Sequence, residues 1–114
     1  MNTDFPVQES FKINVKGSTK IKFVLLKDII KIQCDGYISI LHTKENKTIA
    51  ITKLLKEFEK DLCGYGFIRI SRSLIVNLTY VAKYKGGPKR TIELINGEYL
   101  TVSRRRVYLF RKEN

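Results

Sequence analysis

The sequence is poor in the residues that metal binding and oxidative cross-linking require. Among its 114 residues it has one histidine, two cysteines, two prolines and no tryptophan. Cys34 and Cys63 do not form a CxxC pair, and with a single histidine they cannot complete a zinc ligand set. We therefore interpret both cysteines as reduced residues of the core and not as a disulfide.

Groupings of catalytic side chains are missing as well. His42 is the only histidine and lies in an alternating strand segment, so we expect no serine or cysteine to have a histidine partner, and the acids are scattered among lysines. The glycines of Gly64–Gly66 and Gly86-Gly87 lack the strand–loop–helix setting of a phosphate-binding loop and predict turns. We expect no enzymatic activity, no catalytic residue, no metal site and no cofactor.

Long apolar runs and an apolar leader are also absent. No stretch is long enough to cross a bilayer, and the first ten residues, MNTDFPVQES, are polar and unlike a signal peptide. We expect a cytoplasmic, nucleoid-associated protein without membrane insertion. Because 114 residues suffice for one core and not for two, we expect a single domain at 10–114 and a flexible end at 1–9.

Acidic residues are outnumbered two to one. The chain has 22 Lys and Arg against 11 Asp and Glu, a net charge of +11, while a hydrophobic content of 43% argues against disorder. The excess is greatest over 83–112, where Glu93 and Glu98 are the acids. The basic residues of this region are Lys83, Lys85, Lys89, Arg90, Arg104, Arg105, Arg106, Arg111 and Lys112. Such an excess points to nucleic acid or an anionic membrane surface.

The remaining pattern predicts short strands separated by turns. Alternating segments occur at 11–15, 20–23, 28–32, 37–42, 48–51, 92–95 and 98–102. Asn96-Gly97 predicts a type I′ hairpin turn. A helix is predicted for Thr52–Leu62, with Leu54, Leu55, Phe58 and Leu62 on one face, and a second for 103–110 behind an N-cap at Ser103. The fold class is therefore mostly β, with two short helices at about 52–62 and 103–110.

Two segments combine guanidinium and hydroxyl groups. Ser71-Arg72-Ser73 interrupts the apolar pattern of 67–78, and such a bend can bind phosphates through serine and a guanine edge through arginine. Arg104–Arg106 places three cations at a helix N-terminus, where they are unfavourable unless an anion lies opposite them. Solvated surface arginines are the alternative at both segments.

Several motifs, in order along the chain, together resemble the LytTR DNA-binding domain. They are DIIKIQCDGY at 28–37, the helix at 54–62, FIRISRSLIVN at 67–77, Asn96-Gly97 and VSRRRV at 102–107. The resemblance covers roughly Phe11 to Phe110. It implies a bacterial transcription regulator built from small antiparallel sheets stacked on one another. Most members carry a phosphoreceiver domain in front, so a free-standing regulator and a piece of a longer one both remain open.

The resemblance also implies a partner and a set of contacts. The partner is double-stranded promoter DNA with paired direct repeats, whose successive major grooves are read through loops, with a second copy on the adjacent repeat. Carried over by position, the base-reading residues are Arg72, Arg105, Tyr37 and Ser39. The backbone contacts are Arg69, Ser71, Ser73, Arg104 and Arg106, with nonspecific charge from Lys89 and Arg90 in the 85–90 loop.

Other classes of function remain possible from the residues alone. A single-stranded nucleic-acid or RNA-binding β module would stack bases on exposed aromatic side chains. The tyrosines and phenylalanines fall mostly on the apolar positions of the alternating pattern, which favours the core and the duplex interpretation. A module that meets an acidic protein partner through its charge is the third class.

Overall fold

The computed structural model describes residues 10–14, 19 and 21–110, with the backbone alone for 11–14 and 21. The flexible end predicted at 1–9 lies outside the described residues. Within them the chain forms ten strands and one α-helix. These are β1 (Ser10–Asn14), β2 (Ile21–Leu25), β3 (Ile29–Asp35), β4 (Ile38–Thr43), β5 (Lys47–Ile51), α1 (Leu55–Asp61), β6 (Phe67–Ser71), β7 (Leu74–Asn77), β8 (Val81–Lys85), β9 (Thr91–Leu94) and β10 (Tyr99–Thr101).

Short 3-10 segments complete the description. Three-residue turns occur at Leu26–Asp28, Lys44–Asn46 and Leu78–Tyr80, and a longer 3-10 helix spans Arg104–Phe110. In the part of the chain that the structure describes, no helix is long and apolar enough to cross a membrane.

The strands form three antiparallel sheets. They are the pair β1-β2, a central sheet in the order β5-β4-β3-β7-β6, and a smaller sheet in the order β10-β9-β8. Successive side chains of a strand point to opposite faces, and Ile75 and Val76 of β7 accordingly enter two different apolar clusters.

One cluster lies beneath α1 and β2, and the other lies between the central sheet and the β10-β9-β8 sheet. The first contains Val24, Leu26, Ile29, Ile32, Leu41, Ile51, Leu55, Phe58, Leu62 and Ile75. The second contains Ile70, Val76, Ile92, Leu94 and Val102. The central sheet is therefore covered on both faces, and the predicted mostly-β fold of stacked antiparallel sheets is confirmed.

The two helices differ in detail from their predictions. Helix α1 begins at Leu55 and not at Thr52, because Lys53 and Leu54 are still outside the helix and the Lys53 carbonyl accepts a hydrogen bond from Ser39 Oγ at 2.6 Å. Leu54 is consequently 41% exposed and does not share the buried face. The segment after Ser103 is a 3-10 helix, in which Arg106 N–H donates to the Ser103 carbonyl at 3.0 Å.

The hairpin predicted at Asn96-Gly97 is present, but its turn is not type I′. Leu94 N–H donates to the Glu98 carbonyl at 2.8 Å, so three residues form the loop. A type I′ turn needs two residues with positive φ, whereas here Gly97 at 92° has it and Asn96 does not. Asn96 acts through its side chain, whose Oδ1 accepts from Glu98 N–H at 2.9 Å.

Side-chain exposure corrects two further predictions. Cys34 packs against the first cluster, but Cys63 is exposed because it follows the end of α1; both are free thiols. The aromatic residues are less buried than the alternation indicated, since several stand in solvent. The exposed ones among the described residues are Phe23, Tyr37, Tyr65, Tyr99 and Tyr108.

Two polar side chains, Asn77 and Lys31, fix the strands and sheets relative to each other. Buried Asn77 donates from Nδ2 to the Ile29 carbonyl at 2.8 Å and accepts from Thr79 N–H at Oδ1 at 3.0 Å. The ammonium of Lys31 on β3 pairs with the carboxylate of Glu98 in the β9–β10 hairpin, and the Lys31 side chain is 13% exposed. A hydrogen-bonded charge at this depth ties the smaller sheet to the central one.

Candidate nucleic-acid interface

Three polar segments meet at one end of the central sheet. They are the β3–β4 turn at 35–37, the β6–β7 turn at 71–73 and the start of the 3-10 helix at 103–106; together we call them the arginine edge. Cys34 N–H donates to the Ser73 carbonyl at 2.8 Å, and Ser103 N–H donates to the Ile70 carbonyl at 2.8 Å. These two backbone hydrogen bonds hold the three segments side by side.

The β3–β4 turn presents one of its two predicted base-reading residues. Asp35 pairs with Ile38, so Gly36 and Tyr37 form the tip, and Gly36 has the φ of 67° that such a turn favours. Tyr37 is 85% exposed. Ser39 is fully buried and its Oγ donates to the Lys53 carbonyl, so its prediction as a base-reading residue is wrong.

Arg72 and Arg105, the other two predicted base-reading residues, line the same concave surface. This concavity has a volume of about 580 Å³ and is lined by Arg69, Arg72, Ser103, Arg105, Arg106 and Tyr108. Both Arg72 and Arg105 are exposed. Neither guanidinium forms a hydrogen bond or ion pair with any residue that the structure describes, and the same holds for Arg104.

Arg69 and Arg106 serve the protein itself. The side chain of Arg69 is 16% exposed and donates to the carbonyls of Ser71 at 3.1 Å and Arg72 at 2.6 Å and to Glu59 Oε1 at 3.1 Å. Arg106 Nη1 lies 3.5 Å from Glu59 Oε2 and 3.5 Å from the Arg69 carbonyl. Each nitrogen of Arg69 thus has a protein partner, whereas Nε and Nη2 of Arg106 have none among the described residues. The role of both residues as backbone contacts to DNA stays a prediction.

Arg90 is also hydrogen-bonded within the protein, and its predicted nonspecific charge contact with DNA stays a prediction. Its Nε donates to the Val102 carbonyl at 2.9 Å and its Nη1 to the Pro88 carbonyl at 2.8 Å. The residue has a φ of 43°, and these two bonds hold the 86–90 loop in that conformation. Lys89 in the same loop is exposed.

The predicted serines lie at the β6–β7 turn, Ser71 as the last residue of β6 and Ser73 within the turn. Ser71 pairs with Leu74, so Arg72 and Ser73 form a two-residue turn after a register shift between Arg69 and Ser71. Ser71 Oγ accepts from Ser73 N–H at 3.2 Å, which leaves the hydroxyl hydrogen of Ser71 able to donate. Ser73 itself is exposed.

A lysine of α1 adds a cation that the sequence did not single out. Lys56 lines a second concavity next to Arg72, with Cys34, Leu54, Leu55, Arg69 and Ser73. Its position in the amphipathic helix gave no signal, because an exposed helix lysine is ordinary. Only the packing of α1 beside the β6–β7 turn brings it to the arginine edge.

A second cationic surface lies on the outer face of the smaller sheet. Its concavity of about 520 Å³ is lined by Lys83, Lys85, Gly86, Pro88, Lys89, Thr91, Glu93 and Tyr99, and we call it the lysine face. Glu93 is its acid and lies 3.7 Å from Lys83. Val102 N–H donates to the Arg90 carbonyl at 2.8 Å, which joins the chain just before the arginine edge to the loop beside the lysine face. The alternation of Lys83 and Lys85 in β8 could have indicated this face.

His42 lies apart from both surfaces. Burial lowers its pKa from 6.5, the nearby Lys31 lowers it further, and Glu98 opposes the change. Its Nε2 lies 3.0 Å from Gln33 Oε1. Within the described ranges no three His, Cys, Asp or Glu side chains come together in a way that could hold a metal ion.

Comparison with known proteins gives three consistent findings. The family model described as the LytTr DNA-binding domain matches residues 19–113. A solved LytTr DNA-binding domain from Bacillus cereus superposes with a TM-score of 0.74 at 23% identity, covering 92% of this chain and 95% of that one.

The third finding is a curated relative. The heme-containing CO-sensing transcriptional regulator RcoM 2 of Paraburkholderia xenovorans (strain LB400) is 32% identical over 73 residues, which is 64% of this chain. The matched segment is 27% of that regulator, so the chain spans about a quarter of its length.

Proposed function

Because the chain belongs to the LytTR family of DNA-binding domains, we propose that it binds duplex DNA sequence-specifically as a transcription regulator. The arginine edge is the proposed binding surface. Its segments enter successive major grooves of paired direct repeats in promoter DNA, and a second copy occupies the adjacent repeat. The chain acts without enzymatic chemistry and without a cofactor.

One observation carries the proposal: two exposed arginines without protein partners line one concave surface. A guanidinium can form two parallel hydrogen bonds with O6 and N7 of guanine, the most frequent specific contact in the major groove. Arg72 stands at the tip of a two-residue turn and Arg105 at the start of a helix, so both project from supported backbone. Tyr37 supplies a third contact from the neighbouring turn.

The phosphate contacts follow from the same geometry. Ser71 and Ser73 offer hydroxyl donors beside Arg72, Arg104 stands next to Arg105, and Lys89 is exposed on the lysine face. Such contacts set the register of a protein on DNA but carry no sequence information themselves. The role as a regulator is supported by the relative from Paraburkholderia xenovorans, which is a transcriptional regulator; its heme and CO sensing are stated of that protein.

Selection of bound sites from a randomised duplex pool tests the proposal directly. We expect enrichment of one motif, and an affinity for it that falls with salt with a log–log slope of about −5 to −7, as for a protein that neutralises ~5–8 phosphates. A pool without any enriched motif would overturn sequence-specific binding.

Competition with the single strands of the selected site separates the duplex proposal from the single-strand alternative. The exposed Tyr37, Tyr99 and Tyr108 make this comparison necessary, because bases can stack on such rings. We expect the duplex to compete far better than either strand. The opposite order would replace the proposed function by a single-stranded nucleic-acid module.

The paired repeats are tested by their spacing. Two copies on adjacent repeats bind on the same side of the duplex when the repeats are separated by whole helical turns of about 10 base pairs. Inserting five base pairs between the two selected repeats should place the copies on opposite sides. Unchanged joint occupancy of both repeats after this insertion would argue that the copies bind independently.

A further inference from the structure

Glu59 is an acidic residue beside the proposed DNA-binding surface, where a carboxylate repels phosphate. It lies on α1 beside the arginine edge, and its carboxylate, 44% exposed, contacts two guanidiniums. Oε1 accepts from Arg69 at 3.1 Å and Oε2 lies 3.5 Å from Arg106. The two oxygens thereby connect α1 to β6 on one side and to the 3-10 helix on the other.

Arg69 links Glu59 to the β6–β7 turn, which carries Arg72. While one nitrogen is held by Glu59, Nε and Nη2 donate to the carbonyls of Ser71 and Arg72, which are the last residue of β6 and the tip of the turn. All three nitrogens of the guanidinium therefore form a hydrogen bond at once. The backbone of Arg72 is fixed by a side chain whose own orientation depends on Glu59.

Arg106 links Glu59 to the 3-10 helix, which carries Arg105. Its guanidinium lies against Glu59 Oε2 and the Arg69 carbonyl, and Arg106 follows Arg105 directly in the 3-10 helix. A shift of this helix along β6 would move Arg105 relative to Arg72. The carboxylate of Glu59 opposes such a shift because it contacts both Arg69 of β6 and Arg106 of the 3-10 helix.

Resting on the proposed function, we propose that Glu59 is a positioning residue that sets the separation of Arg72 and Arg105 and thereby the base preference of the domain. Partly exposed ion pairs contribute little to stability, so stability alone does not account for an acid at this place. The carboxylate repels phosphate, but this cost is offset because it aligns Arg72 and Arg105. Hydrogen bonds to base edges require side chains that neighbouring residues hold in the correct geometry. Glu59 is thus a specificity determinant that does not touch DNA.

The test compares Glu59→Ala with Glu57→Ala on the selected duplex and on a random duplex. Glu57 is exposed on the same helix and has no ion pair among the described residues, so both variants add one unit of positive charge. For Glu57→Ala we expect equal or slightly higher affinity for both duplexes. For Glu59→Ala we expect the ratio of selected to random affinity to fall about tenfold, the loss of one misaligned bidentate contact.

Two further variants keep the test decisive if the alanine variant folds poorly. Glu59→Gln retains the shape and one acceptor oxygen, and should lose part of the ratio. Arg69→Lys keeps the charge but replaces the planar fork by a point charge, which cannot serve Glu59 and two carbonyls together. We expect the Glu59→Gln, Arg69→Lys double variant to lose less than the sum of the two single variants, because the contact between Glu59 and Arg69 is shared while that between Glu59 and Arg106 is not.

The outcomes separate this inference from the proposed function. If the wild type prefers no duplex, the proposed function fails. If the wild type prefers its selected site and folded Glu59→Ala and Glu59→Gln keep the full ratio, the positioning role is overturned while DNA binding stands. An equal fall of the ratio in Glu57→Ala would also overturn it, because general charge would then be the cause.

Discussion

The arginine edge and the lysine face are both basic, but their cations are held differently. At the arginine edge, Arg106 and the neighbouring Arg69 are bound within the protein and support Arg72 and Arg105, which have no partners among the described residues. On the lysine face, Lys85 and Lys89 are exposed without ion pairs among the described residues, and no second layer of side chains orients them. Exposed charge by itself increases affinity for any DNA, whereas a cationic side chain held in a fixed position can also distinguish base sequences.

Removal of the proposed base-reading arginines should have the largest effect on the preference for the selected duplex over random duplex. We expect Arg72→Ala and Arg105→Ala each to lose about 1–3 kcal/mol of binding free energy on the selected site, with a smaller loss on random duplex. Titration of both duplexes by fluorescence anisotropy measures the difference. Arg104→Ala is the matched control, since a phosphate contact should weaken both duplexes alike; the same pattern for Arg72→Ala would contradict its base-reading role.

The ion pair between the central sheet and the smaller sheet should respond next, in stability and not in specificity. Glu98→Ala leaves the ammonium of Lys31 half-buried without its carboxylate, which should cost about 1–2 kcal/mol of the free energy of unfolding. Glu93→Ala, whose partner Lys83 is mostly exposed, should cost about 0–1 kcal/mol. Urea unfolding compares them, and equal costs would mean that the Lys31–Glu98 pair does not hold the sheets together.

The lysine face should change affinity without changing preference. We expect Lys85→Ala with Lys89→Ala to weaken selected and random duplexes by one common factor and to reduce the log–log salt slope by about 2. The control is Lys44→Ala with Lys47→Ala, the same charge change at the β4–β5 turn, which lies at the opposite end of the central sheet. A loss of affinity restricted to the selected duplex would contradict this prediction and would mean that the lysine face contributes to sequence preference.

The smallest expected effect is a pH dependence from His42. Its pKa in the folded protein is lowered, mainly by burial and then by Lys31, so the unfolded chain binds the proton more readily. Stability should therefore fall as the pH decreases through 6.5 and level off below the folded pKa. In His42→Gln this part of the dependence should vanish. Thermal unfolding of both proteins between pH 5 and 8 measures it, and parallel curves would contradict the prediction.

Local pattern was sufficient for much of the molecule. The alternation of polar and apolar residues placed most strands, and the apolar spacing of Leu55, Phe58 and Leu62 placed α1, because a buried face must repeat with the period of its element. The linked motifs at 28–37, 67–77 and 102–107 indicated the family and the segments that carry Arg72 and Arg105. Net charge indicated an anionic partner, since charge is a property of composition.

Only the tertiary structure decided what each polar side chain does. Ser39, Arg69, Arg90 and Arg106 look as available in the sequence as Arg72 does, yet each donates to a carbonyl or carboxylate of another segment of the chain. Glu59 is ten residues from Arg69 and forty-seven from Arg106, and no local period links them. Hydrogen bonding depends on atoms within about 3 Å, and such proximity arises from the packing of α1, β6 and the last helix, not from order along the chain.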